Sequence, residues 1–192
     1  INSKIRKTIK KFKKKKKIFD DEFSNLVKKK LDYELTSDQV NALQEINNDL
    51  RSEEKMFRLL QGDVGSGKTI VSFIAALNVV KSGYQVSIMA PTEILARQHY
   101  NLAKSIFDKS INVQILTSKT EFALRKKIIN ELKENKINIL IGTQSLFQDK
   151  INYCKLGLII IDEQHKFGVK QRKSLSDKGG KNCDVLVMSA TP

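Results

Sequence analysis

Eight consecutive residues, Gly62-Asp63-Val64-Gly65-Ser66-Gly67-Lys68-Thr69, fit the pattern GxxxxGK[ST] at every required position. The three glycines let the backbone curl and aim its N–H groups at phosphate oxygens without side-chain obstruction. Lys68 is then placed to reach the β- and γ-phosphates of a nucleoside triphosphate, and the Thr69 hydroxyl to ligate Mg²⁺. A second group, Asp162-Glu163-Gln164-His165, follows the apolar run Leu158 to Ile161 and lies ninety-four residues after Lys68. Asp162 suits a Mg²⁺ ion held through its water shell, and Glu163 suits a general base that orients and deprotonates an attacking water. A third group, Ser189-Ala190-Thr191, brings hydroxyls able to sense the phosphates and relay their state to Glu163 or His165.

These groups need a scaffold that delivers them to one edge, and the hydrophobic pattern supplies it. Short β-rich runs at Phe57–Gln61, Val86–Ala90, Val113–Thr117, Ile137–Ile141, Leu158–Asp162 and Val185–Ser189 alternate with longer helical ones. The predicted helices cover Lys68–Ser82, closed by Gly83, then Glu93–Phe107 and Glu121–Glu134. Ahead of them Val40, Leu43, Ile46 and Leu50 mark one stripe of a helix of roughly 14 residues, with Thr36 as its N-cap. Runs such as Leu158-Ile159-Ile160-Ile161 are apolar on successive residues, so both faces of the strand must be covered. The fold class this predicts is α/β, a doubly wound parallel sheet with helices on both faces. In such sheets ligands bind beyond the carboxyl ends of the strands, where all three groups fall.

The formal net charge is +14, and residues 1–31 hold +10 of it, leaving +4 for the rest. The distribution divides the chain into a basic, helical N-terminal segment, 1–30, and a main domain, 31–192. The block Lys13 to Lys17 reads as a solvated surface, with a phosphate-contacting arm as the sharper alternative. Cys154 and Cys183 have no CxxC spacing and no His cluster, which argues against paired disulfide or zinc roles and points to reduced, buried thiols. No apolar run approaches the roughly 18 residues that span a bilayer, so no membrane partner is expected and a cytoplasmic location is. The chain starts without Met and stops just after a strand-like run, and so is expected to be part of something larger.

The order of GDVGSGKT, then Met89-Ala90-Pro91-Thr92-Glu93-Ile94-Leu95-Ala96 with Gln98-His99, then Asp162 to Val169 with Gln171-Arg172, then Met188 to Pro192, resembles the first RecA-like lobe of superfamily 2, DExH-type helicases. The resemblance runs from about Leu35 to Pro192. Within the superfamily it is nearest the bacterial helicases that remodel branched DNA. Transcription-repair coupling translocases share the DExHxFGV run but differ around Ser66 and the APTEILA run.

The resemblance implies a RecA-like P-loop NTPase domain that uses ATP and Mg²⁺. It also implies that Gln39 reads the adenine, although Thr36 and Gln39 equally form a T-x-x-Q capping box in which Gln39 serves only the backbone. Tyr33 stands where the family stacks an aromatic on the base. The implied DNA track comprises Pro91, Thr92, Glu93, Thr117 and Gly142-Thr143-Gln144. The chain departs from the family at Ser118, where glycine is usual, and at Gln144, where histidine is. Thr92 has a simpler role open to it as an N-cap. His99 is expected to be a packed or partly exposed residue rather than a ligand, and His165 to couple the nucleotide site to DNA or to a second lobe. The implied partners are branched or duplex DNA and a second RecA-like lobe of the same protein, acting as a monomer.

Overall fold

A computed structural model of the chain describes residues 13–20, 30, 31, 33–148, 150–162 and 180–190. Six strands, β1 (Phe57–Gln61), β2 (Gln85–Met89), β3 (Val113–Leu116), β4 (Ile139–Gly142), β5 (Leu156–Asp162) and β6 (Asp184–Ser189), form one sheet in the order β1-β6-β5-β2-β4-β3. Every pairing is parallel. The helices α1 (Ser37–Arg51), α2 (Lys68–Lys81), α3 (Glu93–Ile106) and α4 (Phe122–Lys133) alternate with them, and short 3₁₀ turns occupy Gln144–Phe147 and Gly180–Asn182. The doubly wound parallel sheet read from the sequence is the observed architecture.

The strands alternate their side chains between two cores, as a period of two requires. Leu158 and Ile160 of β5, with Leu186 and Met188 of β6, join α1, α2 and α3 on one face. Ile159 and Ile161, with Val185 and Val187, join Ile128 and Leu132 of α4 on the other. Burial on both faces is why β5 carries no polar side chain before its last residue, Asp162.

Helix α2 is buried continuously from Ile70 to Val80, because it lies between the sheet and α1. A helix apolar all round is stable only in such a position. Each fully buried Ile, Leu, Val or Phe there contributes about 1.5–3 kcal/mol. Its polar exceptions are satisfied: Ser72 donates to the Thr69 carbonyl at 2.8 Å, and Asn78 donates to Asn47 of α1 at 2.9 Å.

Of the basic N-terminal segment, residues 13–20 and 30 are described, and the stretch 14–20 is neither helical nor fully solvated. Residues 14–20 run as irregular chain along the body, with the Lys14 and Lys17 amides donating to the carbonyls of Glu53 and Leu50. The Lys14 and Lys17 side chains are buried, and both ammonium groups donate to Asp184, at 2.7 and 2.5 Å. Lys14 also reaches the Asp49 carbonyl, and the Met56 amide completes the carboxylate's shell at 2.7 Å. Asp184 opens β6, so this clamp closes the edge of the sheet opposite the strand ends that carry the candidate site. Burial pulls the Lys14 ammonium below the ordinary lysine range, and the Asp184 carboxylate opposes that shift. Lys13, Lys15 and Lys16 remain exposed.

Candidate nucleotide-binding site

β1 feeds directly into the Gly62–Gly67 loop, and α2 starts at Lys68. Gly65 and Gly67 have φ of 83° and 80°, a left-handed conformation that costs a side chain its usual backbone freedom. At Gly67 a Cβ would also drive into the Gln39 amide. Gly67 is the N-cap of α2 and offers no side-chain cap, so the helix opens on backbone N–H groups and the positive end of its dipole. That is an anion site in the sense of a phosphate cradle. The Lys68 ammonium folds back into the loop, donating to the carbonyls of Gly62 at 2.5 Å and Asp63 at 2.7 Å. A positive charge therefore sits inside the curl. Val64 stands exposed at its tip, and the Ser66 hydroxyl lies 3.4 Å from the Lys68 ammonium.

Gln39 makes both sets of contacts that its sequence context allows. The capping box is present: the Gln39 amide donates to Thr36 Oγ1 at 3.3 Å, and Gln39 Oε1 accepts from the Thr36 amide at 3.0 Å. Its Nε2 then donates to the Ser66 carbonyl at 2.8 Å, which fastens α1 to the phosphate loop.

Strand order brings the three chemical groups together. β1, β6 and β5 are neighbours, Gln61 pairs with Ser189, and Met188 pairs with Asp162. The Gly62 amide donates to the Ser189 carbonyl at 3.3 Å, so the loop starts against the end of β6. With strands about 4.8 Å apart, Asp162 stands two strands from the phosphate loop. Asp162 Oδ2 accepts from His99 Nε2 at 2.8 Å. His99 is buried on α3, and this contact is one the sequence reading missed; its only signal was a histidine two turns into the helix after β2. Glu163, Gln164, His165 and Thr191 lie outside the described residues.

The residues of the implied DNA track occupy the ends of the other three strands, β2, β4 and β3, on the same edge of the sheet. Pro91 precedes α3, and Thr92 caps it by accepting from the Leu95 amide at 3.2 Å. The Glu93 carboxylate pairs with Arg97 at 2.9 Å, which blunts its repulsion of a phosphate. Thr117 is buried and serves the turn: its amide donates to Thr120 Oγ1 and its carbonyl accepts from Arg125 at 2.6 Å. The surface at that turn is Ser118, Lys119 and Thr120 rather than Thr117. Thr143 is half-buried and Gln144 exposed, beyond Gly142, whose missing side chain lets the Leu116 carbonyl approach. Tyr33 is exposed.

The model of the family described as DEAD/DEAH box helicase matches residues 36–192. The chain belongs to that family. It is 50% identical over 186 residues to the ATP-dependent DNA helicase RecG of Aquifex aeolicus, a match covering 96% of this chain and 24% of that protein. With RecG of Thermotoga maritima it shares 50% over 165 residues, 85% of this chain and 21% of the relative. A structure of RecG bound to a three-way DNA junction superposes with a TM-score of 0.86 at 42% identity, covering 98% of this chain and 25% of that one. The type ISP restriction-modification enzyme LlaGI, in complex with a DNA substrate mimic, matches with a TM-score of 0.65 at 15% identity, a likeness of fold alone. The chain spans about a quarter of the length of the helicases it matches.

Proposed function

We propose that this DEAD/DEAH box lobe is the first RecA-like motor lobe of a RecG-type, ATP-dependent translocase that remodels branched DNA in recombination and repair. One observation carries the reading: the phosphate loop, Asp162 and Ser189 end three adjacent parallel strands, while the track residues end the other three. The side chains fit Mg²⁺ and a nucleotide. Thr69 and Asp162 offer the hard oxygen donors that Mg²⁺ prefers, few enough to leave room for water and phosphate oxygens.

In this reading the backbone of Gly62 to Gly67, with the Asp63, Val64 and Ser66 amides, cradles the phosphates. Lys68 leaves its two carbonyl partners to neutralise the β- and γ-phosphates, Gln39 reads the adenine, and Tyr33 stacks on it. Asp162 and Thr69 hold Mg²⁺, which when bound draws charge off the phosphate oxygens. Glu163 takes the proton of the attacking water, and Ser189, Thr191 and His165 couple the site to the lobe's partners. Pro91, Thr92, Glu93, the Thr117 turn, Thr143 and Gln144 contact backbone phosphates of duplex or branched DNA without reading bases. A second RecA-like lobe of the same monomer supplies an arginine to the transferring phosphoryl group, which in this chemistry is worth about 10³–10⁵ in rate. The domain boundary near residue 30 and a cytoplasmic location belong to the same proposal. Among the described residues no helix is long and apolar enough to cross a membrane.

The rival reading, a binding module whose basic arm grips nucleic acid, loses ground because Lys14 and Lys17 are committed to Asp184. The test is Lys68→Ala in the intact protein. DNA-stimulated ATP turnover should be abolished, and turnover at the unmodified rate would overturn the assignment.

A further inference from the structure

We infer that His99 is a positioning residue that fixes the Asp162 carboxylate and ties it to the helix whose other end faces the proposed DNA track. The inference rests on the reading of Asp162 as a Mg²⁺-holding carboxylate. Asp162 Oδ2 lies 2.8 Å from His99 Nε2. A carboxylate only accepts, so Nε2 carries the hydrogen and the tautomer is set by this bond. Among the described residues nothing else hydrogen-bonds the Asp162 side chain, which leaves Oδ1 for a metal-bound water.

The imidazole is held from a second side. Phe73 meets it edge to face, with ring centroids 6.0 Å apart at 68°, and Phe73 itself packs against Phe107 in a tilted arrangement, centroids 5.6 Å apart at 42°. Phe73 lies on α2 one turn after Thr69, so His99 is wedged between the phosphate-loop helix and the end of β5. His99 also lies seven residues after Thr92, two turns along the same face of α3. A shift of α3 caused by contact at Thr92 and Glu93 is therefore felt at Asp162 without passing through the loop residues of the site.

A histidine present only to fill space beside Phe73 would be replaceable by another ring. One that orients Asp162 would not, because partners that hydrogen-bond a metal's ligand typically govern affinity by about 10–100-fold.

The experiment uses the intact protein and a fluorescent ATP analogue, with binding measured in EDTA and across a Mg²⁺ titration. His99→Phe should raise the Mg²⁺ midpoint about 10-fold and lower kcat, leaving affinity in EDTA within about 2-fold. His99→Gln, which restores an N–H donor, should recover most of the shift. A His99→Phe midpoint within 2-fold of wild type, a matching loss in EDTA, or no recovery with glutamine would overturn the inference.

If His99→Phe does not fold, ¹⁵N-histidine spectra of the unmutated protein decide. The Nε2–H tautomer should be present, and its signal should move when Mg²⁺ joins the nucleotide complex. A different tautomer or an unmoved signal overturns it. Lys68→Ala separates the two levels. If wild type shows no Mg²⁺-dependent binding, or Lys68→Ala leaves it intact, both readings fall; if these controls behave and His99→Phe matches wild type, only the role of His99 falls.

Discussion

Replacing Asp184 by alanine should be among the most damaging single changes in this chain, although it lies at the edge of the sheet remote from the proposed chemistry. The carboxylate is fully buried and is shared by the Lys14 and Lys17 ammonium groups and the Met56 amide. Removing one partner of a buried ion pair costs about 3–5 kcal/mol, because the charge left behind has no solvent. Here two cations and one N–H are stranded together, so the upper end applies. A domain of this size loses about 2–4 °C of Tm per kcal/mol, so a cost of about 5 kcal/mol predicts a fall of roughly 10–20 °C. Lys17→Met alone should cost less, since Lys14 still neutralises Asp184. The triple change Asp184→Leu, Lys14→Met, Lys17→Met should recover most of the loss, as apolar replacement of a buried charge cluster often does, and fall about 1–3 kcal/mol short of wild type because the Met56 amide still lacks its acceptor. The pH dependence has a definite sign. Folded Lys14 titrates below its ordinary value of 10.5, so it binds fewer protons folded than unfolded, and its contribution makes stability rise with pH across that window. Asp184 opposes the shift, so without it the window extends lower, and the deficit of Asp184→Ala should shrink as the pH is raised. Urea denaturation followed by circular dichroism measures each quantity. A cost for Asp184→Ala below about 1 kcal/mol, or a triple variant as unstable as the single, would refute the reasoning.

Further outcomes follow from the site and from the core. Glu163→Gln in the intact protein should bind the fluorescent ATP analogue as wild type does and lose turnover by at least about 10²-fold, and loss of binding instead would remove Glu163 from the role of general base. Cys183 is buried, as expected for both thiols, and is pushed up to about 12 by desolvation, whereas Cys154 corrects that expectation: it is exposed, in the loop ahead of β5 rather than in the sheet. Iodoacetamide at pH 8 with mass-spectrometric readout should therefore label Cys154 in the native protein and Cys183 only after denaturation; equal rates would contradict the packing. Because the folded Cys183 value lies above the ordinary 9.0, its contribution to stability is fully present below pH 9 and is lost as pH rises through about 12.

What the sequence made legible is what local physics decides. The apolar run of β5 demanded cover on both faces and has it, and the Thr36 and Gln39 spacing demanded a capping box and forms one. The parts that were not legible depend on partners far along the chain. β2 starts one residue earlier than its apolar pattern suggested because Gln85 is accepted into the strand by carbonyls of Leu132 and Ile137 and by the Lys155 amide. The lysine block read as solvent-facing because nothing nearby neutralises it; Asp184, at the far end of the sequence, does so for Lys14 and Lys17. His99 read as a packed or partly exposed residue with no partner for the same reason, since its carboxylate partner is 63 positions away.

The strand order explains why such a contact matters. In the order β1-β6-β5-β2-β4-β3, the proposed nucleotide residues end the first three strands and the proposed track residues end the last three, with the boundary between β5 and β2. That boundary is a parallel ladder, in regular register where residues 86–89 face 158–161 and shifted once between Gln85 and Val86, between largely buried strands, which resists relative sliding. Communication between the halves must therefore use the loops and helices at the strand ends rather than the sheet itself. α3 follows β2 on the track side, yet His99 reaches across to Asp162 at the end of β5. Gln39 makes a comparable link from α1 to the Ser66 carbonyl. Both links attach a helix to a phosphate-facing element by a single hydrogen bond, each worth only about 0.5–1.5 kcal/mol, or somewhat more to a charged group. Bonds of that size can be exchanged for ligand contacts without disturbing the core, which is the property the proposed motor lobe needs where its proposed nucleotide and track sites meet.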